Sequence, residues 1–64
     1  MIKGRIKLWK EVEGWGFIEG YDGEDYFISI SNVRTGQKIK LNSKVKFDVL
    51  QGQKGPEAVN LSLY

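Results

Sequence analysis

The sequence contains no cysteine and no histidine. Without cysteine, neither a disulfide nor a thiolate metal site can supplement the core, and the chain needs no oxidising compartment. Without either residue, the common general base, the thiolate nucleophile and the usual transition-metal ligands are missing, so serine has no ordinary activator. The acidic cluster Asp22, Glu24 and Asp25 lacks the ligand spacing of a calcium loop. These absences point away from an enzyme, a metalloprotein or a cofactor-dependent protein. There is also no apolar run long enough for a membrane span, and the N-terminus, Met1-Ile2-Lys3-Gly4-Arg5-Ile6-Lys7, is unlike a signal peptide. The expectation is a cytoplasmic protein that does not engage membranes. Length is short as well: a chain of 64 residues buries only about 60% of its unfolded surface. That leaves no second core and no enclosed cavity for a small-molecule substrate, so residues 1–64 read as a single domain and a monomer.

The chain does have charge, and it is unevenly spread. Residues 1–10 carry Lys3, Arg5, Lys7 and Lys10 without an acid, residues 11–26 carry six acids without a base, and from residue 27 onward six bases face two acids. The net charge of +2 conceals this dipolar arrangement. Basic strands at both ends would suit a polyanion, but lysine-rich faces also keep small barrels soluble, so charge alone does not decide.

The aromatic residues carry more information. In Glu13-Gly14-Trp15-Gly16-Phe17-Ile18-Glu19, a strand would put Trp15, Phe17 and Glu19 on one face and Gly16 and Ile18 on the other. Glycine weakens a strand unless a backbone or a ligand must come close, so this composition suggests a platform for planar groups, of which nucleobases are the obvious case. Tyr26, Ile28 and Ile30 form one row of the next strand, Phe27 and Ser29 the other. Across an antiparallel meander, Phe27 would stand opposite the Trp15 and Phe17 row.

The remaining elements follow from alternation and turn chemistry. Ile2, Gly4, Ile6 and Leu8 alternate with Lys3, Arg5, Lys7 and Trp9, the period of a half-buried strand. Simple alternation sets Trp9 beside Lys7 on the basic face, whereas a bulge would turn it inward, and the pattern fits both. Residues 10–14 and 20–25 read as turns, the second carrying the hairpin signal Asp22-Gly23. Residues 31–43 read as a loop, with room for a 3₁₀ turn near Ser31-Asn32-Val33. Lys44 to Gln51 reads as a strand burying Val45, Phe47 and Val49, Gly52 to Pro56 as a turn, and Ala58 to Leu63 as the last strand. Five short strands with glycine-rich turns and no convincing helix indicate an all-β fold, a small antiparallel barrel or partly open sandwich.

At this point the residues resemble the bacterial cold shock proteins, whose domain is a five-stranded OB-type barrel that binds single-stranded RNA and DNA. Family members read K-G-F-G-F-I, D-V-F-V-H-F and G-P-Q-A where this chain has Glu13-Gly14-Trp15-Gly16-Phe17-Ile18, Asp25-Tyr26-Phe27-Ile28-Ser29-Ile30 and Gly55-Pro56-Glu57-Ala58. The match runs the length of the chain. It departs at Lys7-Leu8-Trp9-Lys10, where the family's K-W-F-N places a stacking tryptophan at the position of Leu8. Ser29 and Ile30 replace a histidine and a phenylalanine, the long loop lacks its usual phenylalanine, and Glu13 replaces a lysine. The resemblance implies a binder of single strands with a reduced platform, acting as an RNA chaperone with effects on transcription termination or translation.

The expected interface is therefore Trp15, Phe17 and Phe27 for stacking, with Trp9 and Ser29 beside them. Lys7, Lys10, Arg34 and Lys54 would contact phosphates, and Asp25 would accept from a base edge or serve its own turn. The competing reading is a protein-interaction barrel that uses the same aromatic patch to dock a partner.

Overall fold

A computed structural model describes residues 1–34, 36, 38–53 and 55–64. Five strands run β1 (Ile2–Lys10), β2 (Trp15–Gly20), β3 (Asp25–Ser29), β4 (Lys44–Gly52) and β5 (Gly55–Leu63), with a 3₁₀ turn at Ile30–Asn32. They close into a barrel in the order β1-β2-β3-β5-β4. Closure follows from β1 pairing with β2 on one side and β4 on the other, both antiparallel, which removes the open edges that would template aggregation. The one parallel contact between named strands is β3 with β5, through Phe27 and Glu57. Among the described residues, no helix is long and apolar enough to cross a membrane.

The inward rows are the aliphatic ones that alternation marks. Ile6, Ile18, Tyr26, Ile28, Val45, Phe47, Ala58 and Leu61 form the core, joined by Ile39 from the long connection. Tyr26 and Phe47 meet edge to face at 5.2 Å between ring centres. The Tyr26 hydroxyl reaches out of the barrel to donate to Asp22 Oδ2 at 2.5 Å, while Asp22 Oδ1 accepts from the Glu24 N–H. The Asp22-Gly23 turn is thereby tied to the core, with Gly23 at φ 89°.

Three elements differ from the sequence reading. Strand β3 ends at Ser29, so Ile30 opens the 3₁₀ turn and is exposed rather than joining the buried row. Strand β5 starts at Gly55, three residues before Ala58, and Pro56 lies within it opposite Gln51. Proline is tolerated near a strand's start, where a ladder donor is dispensable. In strand β1, the register against β2 shifts between Ile6 and Leu8. This bulge sends Lys7 and Leu8 outward in succession and inverts the alternation beyond them.

Candidate nucleic-acid interface

The bulge decides which side chains of β1 join the outer face of the β2–β3 hairpin. Cross-strand pairs share a face, and beyond the bulge Leu8 pairs with Phe17, Trp9 with Gly16 and Lys10 with Trp15. Leu8 is therefore outward, 37% exposed, and Lys10 is outward beside Trp15. Trp9 is on the inner side and packs against the core, which corrects its assignment to the interface. Gly16 makes this possible: a Cβ there would strike the Leu8 carbonyl and lie 2.8 Å from Trp9 Cε3. What comes close to this glycine is the neighbouring strand, not a ligand. Gly14 has a conformational role instead, at φ 81°, where its carbonyl accepts from the Ile30 N–H at 2.8 Å.

On the outer face, the pairing Trp15–Ser29, Phe17–Phe27 and Glu19–Asp25 sets aromatic residues in a compact group. Trp15 lies 6.2 Å from Phe27 with the rings 25° apart, while Phe17 meets Trp15 edge-on at 6.1 Å and Phe27 at 5.8 Å. All three are half-buried, so each ring is held by its neighbours but keeps surface open to solvent. Glu13, Gly14, Trp15, Phe17, Phe27 and Ser29 line an open depression of about 480 Å³. The Ser29 hydroxyl is engaged with that of Ser31 at 3.1 Å and caps the 3₁₀ turn.

Charge frames this group. Lys7 Nζ donates to Asp25 Oδ2 at 2.8 Å, and Arg5 donates to Glu19 Oε1 at 2.8 Å and to Asn42 Oδ1 at 3.0 Å. The hydrogen bond to Asp25, followed by its charge, holds the Lys7 ammonium above its usual range, so Lys7 is cationic at neutral pH. Both pairs are about half exposed, and such solvent-screened pairs contribute little to stability. Neither cation is therefore held strongly by its carboxylate. The structure thus brings Lys7, Lys10, Trp15, Phe17, Asp25, Phe27 and Ser29 to one face. Arg34 is elsewhere, lining a separate polar depression with Ser31, Asn32, Val33 and Asn60; Lys54 lies outside the described residues. Leu8 was not among the residues expected at the interface on alternation, although the family register already pointed to its position. Glu13, at the rim of the depression, sets a negative charge beside the aromatic group.

A closed five-stranded OB-type barrel with a solvent-facing aromatic group on its β2–β3 face defines a class of small single-strand binders. A sequence model of the "'Cold-shock' DNA-binding domain" matches residues 2–64. The chain is 38% identical over 64 residues to the major cold shock protein of Streptococcus pyogenes, spanning 97% of this chain and 96% of that one. It is 34% identical over 62 residues to cold shock-like protein CspC of Bacillus cereus, spanning 94% and 95%. Among solved structures, drosophila Unr CSD456 superposes with a TM-score of 0.83 at 26% identity, over 98% of this chain and 26% of that longer one. The chain belongs to the cold shock domain family.

Proposed function

We propose that this cold shock domain binds single-stranded RNA or DNA by stacking bases on Trp15, Phe17 and Phe27, while Lys7 and Lys10 follow the phosphates. The observation that carries the reading is the three-ring group, half-buried and facing solvent outside the barrel's core. A base–aromatic stack contributes about 1–3 kcal/mol and tolerates any base, because every base has a π-face. Sequence preference is therefore weak, and RNA and DNA differ little, because no evident reader of the 2′-hydroxyl stands among the described residues of this face. By holding unpaired strands, a cytoplasmic monomer of this kind loosens RNA secondary structure and acts as an RNA chaperone without a catalytic step, a metal or a cofactor. Competition between a single strand and a duplex of equal length tests this. Paired bases hide their faces in the stack, so the single strand should win clearly; equal affinity would mean that charge, not stacking, does the binding.

A further inference from the structure

On the far side of β1 from the aromatic group, the outer face of the β1–β4 pair carries a compact array of cations. Lys3 stands opposite Lys46, and Arg5 opposite Lys44. Side chains so paired have Cβ atoms about 4.5–5.5 Å apart, and like charges directly opposite one another are destabilising. Two such pairs in succession make a two-by-two block of basic side chains, in which Arg5 is ion-paired with Glu19, and Asp48 follows Lys46 on the outward row of β4. Among the described residues the ion pairs are Arg5–Glu19 and Lys7–Asp25, so Lys3, Lys44 and Lys46 have no carboxylate partner. Two exposed tyrosines flank the block. Tyr21 follows Gly20, the partner of Gly4, and its N–H donates to the Lys3 carbonyl at 2.9 Å; the Tyr64 N–H donates to the Lys44 carbonyl at 3.2 Å. The Lys3 ammonium lies 5.2 Å from the centre of the Tyr64 ring.

The block is continuous with the aromatic face. The row Asp25–Glu19–Arg5–Lys44 crosses β3, β2, β1 and β4 in register, and three strand spacings of about 4.8 Å each make the crossing about 14 Å. An unstructured strand whose bases stack on Phe17 and Phe27 would pass the Lys7–Asp25 and Arg5–Glu19 ion pairs, whose carboxylates lie in this row, before it reached the unpaired cations beyond. Repulsion within the block falls when a polyanion lies across it, whereas scattered lysines that only confer solubility need no cross-strand pairing of like charge.

We propose that the β1–β4 face, through Lys3, Arg5, Lys44 and Lys46, is a second phosphate-binding segment that takes the backbone of the same single strand after it leaves the aromatic platform. This rests on the platform reading, because the platform supplies the anchored end. A short strand fills the platform alone; a longer one wraps onto β1–β4 and releases more counterions.

The test compares oligothymidylates of about 5 and about 15 nucleotides, within the range of site sizes of one OB barrel. Binding is measured against salt for the wild-type chain and for the double variant Lys3→Gln/Lys46→Gln. For the wild type, the slope of log affinity against log salt should be steeper with the long probe, by about 0.7 for each added phosphate contact. The double variant should reduce the long-probe slope by about 1.4 and weaken long-probe binding several-fold at low salt, with short-probe binding unchanged. Its melting temperature should hold or rise, because like charges have been removed. Equal long-probe slopes for variant and wild type would overturn the assignment. So would an equal loss with both probes, which would mark a general field effect, or competition by polyglutamate at matched charge, which would mark a nonspecific anion surface. Failure of the wild type to bind the short probe would instead count against the platform, and the long-probe comparison would then report on the β1–β4 face alone.

Discussion

Replacing Leu8 by tryptophan should enlarge the stacking surface without disturbing the fold. Leu8 is 37% exposed and pairs with Phe17 beyond the bulge, so a larger ring there extends over the outer face beside Phe17 instead of entering the core. One added base–aromatic stack contributes about 1–3 kcal/mol, which at about 1.4 kcal/mol per tenfold tightens binding by about 5- to 140-fold. Stability is the internal control. Overpacking a core costs about 1–3 kcal/mol, and in a domain of this size each kcal/mol moves the melting temperature by about 4–8 °C; an outward ring should leave it nearly unchanged. Trp9→Ala is the converse experiment. It should lower the melting temperature, because Trp9 packs against the core, and leave the affinity of the folded protein unchanged. The assay is fluorescence or anisotropy titration with an unstructured oligonucleotide, alongside thermal melts of both variants. Unchanged affinity in a normally stable Leu8→Trp protein would place position 8 off the ligand's path. A melting temperature depressed by several degrees would show that the bulge does not turn this side chain outward.

Phe17→Ala and Phe27→Ala should each weaken single-strand binding by about 1–3 kcal/mol, read as dissociation constants, while circular dichroism reports an intact barrel, since the core lies on the opposite row; unfolding of either variant would move these rings into the core. The Tyr26–Asp22 hydrogen bond should give stability two pH limits, measurable by melts across pH. The Tyr26 phenol is pushed up to about 12 by the hydrogen bond to Asp22 and by burial, so its contribution is complete below the ordinary tyrosine value of 10.0 and is lost as pH rises toward 12. The Asp22 carboxyl is held below its ordinary 3.8, chiefly by Tyr26, so its contribution is present above that value and is lost as pH falls through the folded one. In Tyr26→Phe, the alkaline loss of stability should shrink by the share of this phenol, leaving that of the raised Tyr64 phenol and Lys7 ammonium.

Much of the fold and most of the platform were legible because they rest on short-range periodicity. Trp15, Phe17 and Phe27 alternate with residues that are buried, and an Asp-Gly turn joins their strands, so the face and its pairing follow from local pattern. Strand β1 was legible only as far as Ile6. A bulge is set by how β1 meets β2, and no residue type in Lys7-Leu8-Trp9 marks it, so the pattern left the side of Trp9 open. The position of Leu8 came from the family's register instead. Gly55-Pro56 has turn chemistry yet begins β5, because pairing with β4 outweighs the local preference. The partner of Asp25, Lys7, is 18 residues away in sequence, and the parallel contact of β3 with β5 joins distant segments. Both depend on barrel closure, which no local pattern encodes.

The most direct measurement is the fluorescence of Trp15, which stands on the proposed platform. In a Trp9→Phe background Trp15 is the sole tryptophan, and it is titrated at low salt with a short unstructured oligonucleotide. Saturable quenching of its emission is the expected result, because a base stacks on or beside the ring. An unchanged spectrum at saturating oligonucleotide would contradict the claim that this aromatic face is where single strands bind.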